Sequence, residues 1–383
     1  MSLRSHVNRR RTGNTENLVT KRDEVSESAQ GFPGRVKRTV LPASDVAASK
    51  EQPFTLKEQL STNTKRVAFG DLSNAASQVE KTVEQPLPVV TTPPPVEWFA
   101  SLPDYDKQDI ADPRFVSEYA TAIFSKLWEI QADQVVGDYM TKSQPDLNEK
   151  MRGVLVDWLV EVHWKFKLYP ESLFLCVNLL DRFLARCPGV PRNQLQLVGV
   201  TCLLIAAKYE DIYAPEIKDV VMICDRTYRK EEILAMEVLI LNSVAFQITT
   251  PSALLFLLRL AKVAQCDERQ FYLAQYCLEL GLTVYSLWTR YHPAQLASAS
   301  LFLSNKLLRK SPSWGGVLAE VSGLQEAALK PLAKELCNIL QLTSSSAAAT
   351  AESSTDLQNQ PITKAVKKKF SQPKYYSVAK MVL

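Results

Sequence analysis

Between residues 112 and 345 the apolar positions recur at spacings of three and four, the period of helices that bury one face. The densest case runs through Met151, Val154, Leu155, Trp158, Leu159, Val162 and Phe166, with Val156 and Val160 on the opposite side. A segment apolar nearly all round is expected to be wrapped by other helices rather than laid on a surface. Asn148 is placed to cap it, its side-chain oxygen taking an N–H of the first turn. Pro170 closes it, because the residue before a proline is pushed away from helical angles. The segment is therefore expected to be the central helix of an all-helical domain.

The same rhythm predicts the other elements. Val116, Tyr119, Ile123, Phe124 and Leu127 give a leading helix. Helices then fall at about 149–167, 171–186, 192–210, 215–223 and 230–244, punctuated by Pro170, the Cys187–Pro191 segment, Ala214-Pro215 and Asp225. Thr250-Pro251 restarts the pattern with a cap and a first-turn proline. Five more helices follow at about 251–264, 268–287, 294–308, 315–321 and 325–341. Leu197–Lys208 parallels Leu296–Lys306: each is dense in small residues and ends in Lys, which suggests a duplicated five-helix unit. The predicted fold is all-α, two tandem five-helix units preceded by an N-terminal helix, with disordered tails.

Residues 1–110 and 344–383 lie outside this pattern. Up to about residue 100 the chain is rich in Ser, Thr, Asn, Gln, Pro and charge and has no sustained apolar period, so it is expected to be disordered. Pro86, Pro88, Pro93, Pro94 and Pro95 stiffen its end into a spacer. Arg9-Arg10-Arg11 and Arg35-Val36-Lys37-Arg38 are either nuclear import signals or ordinary solvated charge. After Leu342 a Ser/Ala/Thr-rich linker leads to a basic tail with Lys364, Lys367, Lys368, Lys369 and Phe370, read as a solvated charge run. The domains are thus 1–110, 111–248, 249–343 and 344–383.

Composition narrows the class. At 383 residues, 46% of them apolar, the chain has material for two cores plus tails. It contains no run of about 18 uncharged apolar residues and no signal-peptide pattern, so a membrane fate is not expected. Cys176, Cys187, Cys202, Cys224, Cys266, Cys277 and Cys337 form no C-x-x-C pair and read as reduced core thiols. A net charge of +4 is too small to argue for nucleic acid. His6, His163 and His292 have no catalytic partner spacing, and no phosphate-binding glycine loop or H-E-x-x-H is present. Neither enzyme chemistry nor a cofactor is expected; the chain should act by binding.

The wording of Met151-Arg152-Gly153-Val154-Leu155-Val156-Asp157-Trp158-Leu159-Val160-Glu161-Val162-His163 closely resembles the cyclin-box signature. Asp181-Arg182-Phe183-Leu184, Leu195–Gly199, Ala206–Glu216, Tyr228 and Met236-Glu237 near Leu239 follow in the cyclin family's order and spacing. The resemblance spans roughly residues 110–345, and its wording is most like a B-type mitotic cyclin. It implies two tandem cyclin folds and a regulatory subunit that activates a cyclin-dependent serine/threonine kinase at the G2/M transition. Such a subunit swings the kinase's glutamate-bearing helix inward and reshapes its activation loop, in nucleus and cytoplasm.

Site residues follow from the same resemblance. Lys208 and Glu237 match a charged pair that meets the kinase, though each would also serve as an ordinary helix charge. Tyr119, Ile123 and Phe246 match apolar kinase-facing positions and are otherwise core. Arg152 and Asp181 match a structural pair joining two helices of the first domain. Met151, Val154, Leu155, Trp158, Glu161, Arg192, Leu195 and Gln196 match a docking patch for R-x-L segments of substrates and inhibitors. There Glu161 meets the peptide's Arg; otherwise the apolar members are simply core. Val154 stands where the family usually has Ile. In the tail, Arg66, Phe69 and Asn74 match a destruction box read by the anaphase-promoting ubiquitin ligase, with Phe69 where Leu is usual; Arg38–Leu41 is a shorter match. The other fold-sharing class, DNA-binding general transcription factors, normally brings an N-terminal zinc ribbon. No Cys precedes Cys176.

Overall fold

The computed structural model describes residues 103–345 and 363–381, which lie in one compact unit. They contain fifteen α-helices and no strand. In order these are α1 Asp104–Lys107, α2 Ala120–Ile130, α3 Met140–Ser143, α4 Glu149–Lys165, α5 Pro170–Arg186, α6 Leu195–Glu210, α7 Ile217–Ile223 and α8 Lys230–Ser243. Then come α9 Ala253–Val263, α10 Glu268–Leu282, α11 Tyr285–Arg290, α12 Pro293–Leu307, α13 Gly316–Ser322, α14 Glu326–Ser345 and α15 Lys364–Phe370. The cap expected at Asn148 is in place, but the one expected at Thr250-Pro251 falls to Ser252, whose hydroxyl accepts the Leu254 N–H at 3.2 Å, so Pro251 precedes α9 instead of sitting in its first turn. Asn148 accepts the Met151 N–H at 2.9 Å, and Pro170 and Pro293 occupy first turns, where a missing N–H costs nothing.

The centre of the first repeat is α6, not α4. Every residue of α6 from Leu197 to Ala207 is buried, and α5, α8 and α4 all pack on it. Its small residues let them close in: a side-chain carbon at Gly199 would lie 2.9 Å from the Leu155 methyls. In contrast α4 leaves Val154 46% exposed. The second repeat is centred likewise on α12, buried from Leu296 to Asn305 and packed on α9, α10 and α14. The duplicated small-residue pattern thus marks the two central helices.

Three further expectations are corrected. The helix predicted over 268–287 breaks at Thr283-Val284, because side chains take the carbonyls a continuing helix needs. Arg152 Nη1 donates to the Leu282 carbonyl at 2.8 Å, Trp288 Nε1 to Gly281 at 2.9 Å and Thr283 Oγ1 to Leu280 at 2.8 Å. Order also begins before residue 111. Asp106 is fully buried, bound by Arg259 Nη2 at 2.8 Å and by Lys262 Nζ at 3.1 Å, which fastens α1 to α9. These partners outweigh burial and hold its carboxyl below the usual range.

The basic tail is not a solvated charge run. Val366 and Phe370, one helical turn apart, are fully buried, and α15 packs on α4 and α10. Lys369, 1% exposed, donates to both Glu279 oxygens at 2.7 and 2.8 Å. The lysine run conceals an amphipathic helix whose third lysine finds a buried partner.

Candidate functional site

Arg152 and Asp181 form a buried bidentate pair between α4 and α5, both bonds 2.7 Å. The pair reaches further than the first repeat. Tyr139 donates to Asp181 at 2.7 Å, and Arg152 caps the end of α10 through Leu282. Tyr285 at the start of α11 accepts the Tyr139 N–H at 2.8 Å and lies 3.0 Å from Asp138. Burial and the nearby Asp181 carboxylate push the Tyr139 hydroxyl well up from its ordinary range. Gly153 permits this joint, since a Cβ there would sit 3.0 Å from the Thr283 carbonyl.

On one outer surface, Lys208 in the last turn of α6 and Glu237 on α8 pair with each other at 2.5 Å, their side chains 46% and 13% exposed. The turn after α8 carries Phe246 at φ 57° and 60% exposed. Arg182 holds that turn through the Gln247 carbonyl at 2.7 Å, and Tyr209 on α6 bonds Thr249. The end of α6, α8 and this turn are therefore tied together. Tyr119, just before α2, is 56% exposed and Ile123 on α2 44%, while Phe124 and Trp128 of that helix pack inward on Phe256 of α9. None of these three apolar residues is core.

Sequence reasoning missed the largest exposed apolar residues beside the pair. Tyr209 in the last turn of α6 is 48% exposed, Ile212 and Tyr213 directly after it 76% and 87%, and Val238 on α8 47%. The signal was present: Ile212 and Tyr213 fall outside any helical apolar phase, between a helix end and Pro215. Asp211 fixes the chain there by accepting the Tyr169 N–H at 2.9 Å and bonding Ser172.

The predicted docking residues divide by depth. Met151, Val154 and Trp158 form a partly or fully accessible stripe on α4, and Gln196 is half-buried. Leu155 and Leu195, each 6% exposed, are core beneath it. Arg192 is committed to Asp146: its N–H donates at 2.9 Å and its Nε at 2.8 Å, which staples the segment before α4 to the one before α6. The Arg192 hydrogen bonds hold the Asp146 carboxyl below its usual range. Glu161 is exposed, with Lys368 Nζ of α15 3.6 Å away. Arg66, Phe69, Asn74 and Arg38–Leu41 lie outside the described residues.

Among the described residues no cluster of His, Cys, Asp and Glu is arranged to hold a metal ion, and no helix is long and apolar enough to cross a membrane. His163 is buried with Nε2 2.8 Å from the Tyr169 carbonyl. Burial, then the Lys369 charge, lowers its pKa to about 3, so it is neutral near pH 7.

The family model for the cyclin N-terminal domain matches residues 122–249, and that for the cyclin C-terminal domain matches residues 251–382. The chain is 33% identical to Cyclin-B1-1 of Arabidopsis thaliana over 340 residues, 87% of this chain and 76% of that protein. It is 35% identical to Cyclin-B1-4 of the same plant, covering 88% and 84%. With the G2/mitotic-specific cyclin-B of Marthasterias glacialis it shares 38% identity, covering 72% and 66%.

Proposed function

The chain belongs to the cyclin family, with B-type relatives, and we propose that it is the non-catalytic regulatory subunit of a cyclin-dependent serine/threonine kinase acting at the G2/M transition. The observation that carries this reading is the Lys208–Glu237 pair set beside exposed Tyr209, Ile212, Tyr213 and Phe246. Apolar and aromatic anchors around a charged pair have the composition of an interface core. The pair gives register, and the aromatics supply area at small entropy cost. The kinase's activation loop and its glutamate-bearing helix are the proposed occupants of this surface.

Exchanging the charges, Lys208→Glu with Glu237→Lys, keeps the internal pair and so spares the fold. It presents inverted charges to the kinase, and like charges facing each other cost several kcal/mol. Kinase pull-down and phosphorylation of histone are expected to fall at least about tenfold in that variant. A folded double variant that still activates the kinase fully would contradict the assignment.

Two secondary roles belong to the same reading. The α4 stripe is proposed as a dock for R-x-L segments of substrates and inhibitors, with Leu155 and Leu195 as its floor. Arg66, Phe69 and Asn74 are proposed as the degron for the anaphase-promoting ubiquitin ligase, in a protein present in both nucleus and cytoplasm. Replacing Arg66 and Phe69 by Ala is expected to prolong the protein's life through mitotic exit. An unchanged half-life in synchronised cells would move the degron to Arg38–Leu41 or elsewhere.

A further inference from the structure

The acidic edge of α4 faces cations from the far end of the chain. Asp157 and Glu161 lie one turn apart on α4, and Lys364 and Lys368 lie one turn apart on α15. Lys364 acts electrostatically on Asp157. Lys368 Nζ sits 3.6 Å from Glu161 Oε1 and 5.7 Å from the centre of the Trp164 ring. Both side chains of the outer pair remain accessible, 64% for Lys368 and 55% for Glu161. Lys368 is not a drifting surface lysine, however. Its helix is pinned by Asp157, which accepts the Ala365 and Val366 N–H groups at 3.0 and 3.4 Å, by the buried Lys369–Glu279 pair and by the fully buried Phe370.

We propose that Lys368 is an internal counter-ion of the docking surface: it holds Glu161 until the basic residue of an R-x-L segment displaces it, and so sets how strongly that residue contributes to docking. This rests on reading the α4 stripe as the dock. An exposed pair of this kind is weak enough to be displaced by a guanidinium that binds a carboxylate through two bonds. Lys368 also stays beside the incoming cation after displacement, so it discriminates against peptides carrying extra positive charge nearby. Segment 363–381, distant in sequence from the dock, thereby tunes its charge preference.

The test is the affinity of a fluorescein-labelled Arg-x-Leu peptide with neutral flanks for the full chain, by anisotropy, at low and high salt. At low salt Lys368→Ala is expected to bind about threefold tighter than wild type and Lys368→Glu about tenfold tighter, with Lys368→Arg unchanged. High salt should compress the series. In a Glu161→Gln background the Lys368→Ala gain should vanish. Lys368 is exposed enough for these variants to fold, and a purely structural role would not order affinity by charge. If Trp158→Ala abolishes binding while the Lys368 variants all bind like wild type, the counter-ion role is overturned and the dock stands. If wild type binds no peptide, or Trp158→Ala changes nothing, the dock itself falls and takes the counter-ion role with it.

Discussion

Asp157 shows how one side chain works at two levels. Placed on α4 beside the accessible stripe, it is 7% exposed and caps the first turn of α15 through the Ala365 and Val366 N–H groups. Burial pushes its carboxyl up to about 6, against the pull of those two hydrogen bonds. A folded-state pKa above the unfolded value means the folded protein holds this proton more tightly. The associated stability is present in full below about pH 4 and is lost as the pH rises through about 6. His163 slopes the other way, since its lowered pKa removes stability as the pH falls below the ordinary histidine range. Comparing wild type with Asp157→Asn separates the two. From pH 4.5 to 7.5 the variant is expected to gain about 1–2 kcal/mol relative to wild type in urea denaturation. A pH-independent difference would show that Asp157 does not titrate as described. Asp157 was within the signature quoted from the sequence, yet its task was not legible there. Its partners are backbone groups some two hundred residues away.

At the scale of elements, α15 carries the clearest lesson. Read alone, Lys367-Lys368-Lys369 is a solvated run; in the fold, Lys369 and Glu279 form a closed pair with side chains 2% and 0% exposed. Breaking a buried pair leaves an uncompensated charge, so Lys369→Ala is expected to cost about 3–5 kcal/mol. Replacing both partners, Lys369→Met with Glu279→Leu, should restore most of that loss. Urea denaturation of the three proteins decides it; a double variant no better than the single one would mean that the pair's charge is not what matters. Gln275, which donates to Glu279 at 2.9 Å, sets how far the single variant can relax. The helices of 149–343 were legible because each has a period, a cap or a proline. The break in 268–287 was not, because two of the three side chains that take its carbonyls, Arg152 and Trp288, come from elsewhere in the chain or from beyond the break.

Over the whole molecule, the two repeats are joined by buried polar contacts rather than by apolar packing alone. Asp181, Arg152, Tyr139, Tyr285 and the Leu282 carbonyl form a chain of hydrogen bonds from α5 to the α10–α11 corner. Arg152→Ala removes the only cation among these groups and leaves Asp181 buried against Tyr139, so a loss of about 3–5 kcal/mol is expected. Tyr285→Phe, which removes hydrogen bonds but no charge, should cost about 1–3 kcal/mol. Thermal unfolding of both variants tests the ranking. The reverse order would show that the hydroxyl, not the ion pair, holds the repeats.

The amino-acid order by itself determined the helical class, the duplication and most helix limits, since each depends on local period, capping and steric exclusion at proline. It also determined which residue types stand at Lys208, Glu237, Met151, Val154 and Trp158. Only the tertiary structure decided that α6 rather than α4 is the wrapped helix, because burial depends on how many neighbours close in and Gly199 governs that approach. It likewise decided that Leu155 is floor while Val154 is surface, that Arg192 is spent on Asp146, and that Lys369 is buried while Lys368 faces Glu161. Each of these turns on a partner far away in the chain, and no local pattern records a distance that folding alone creates.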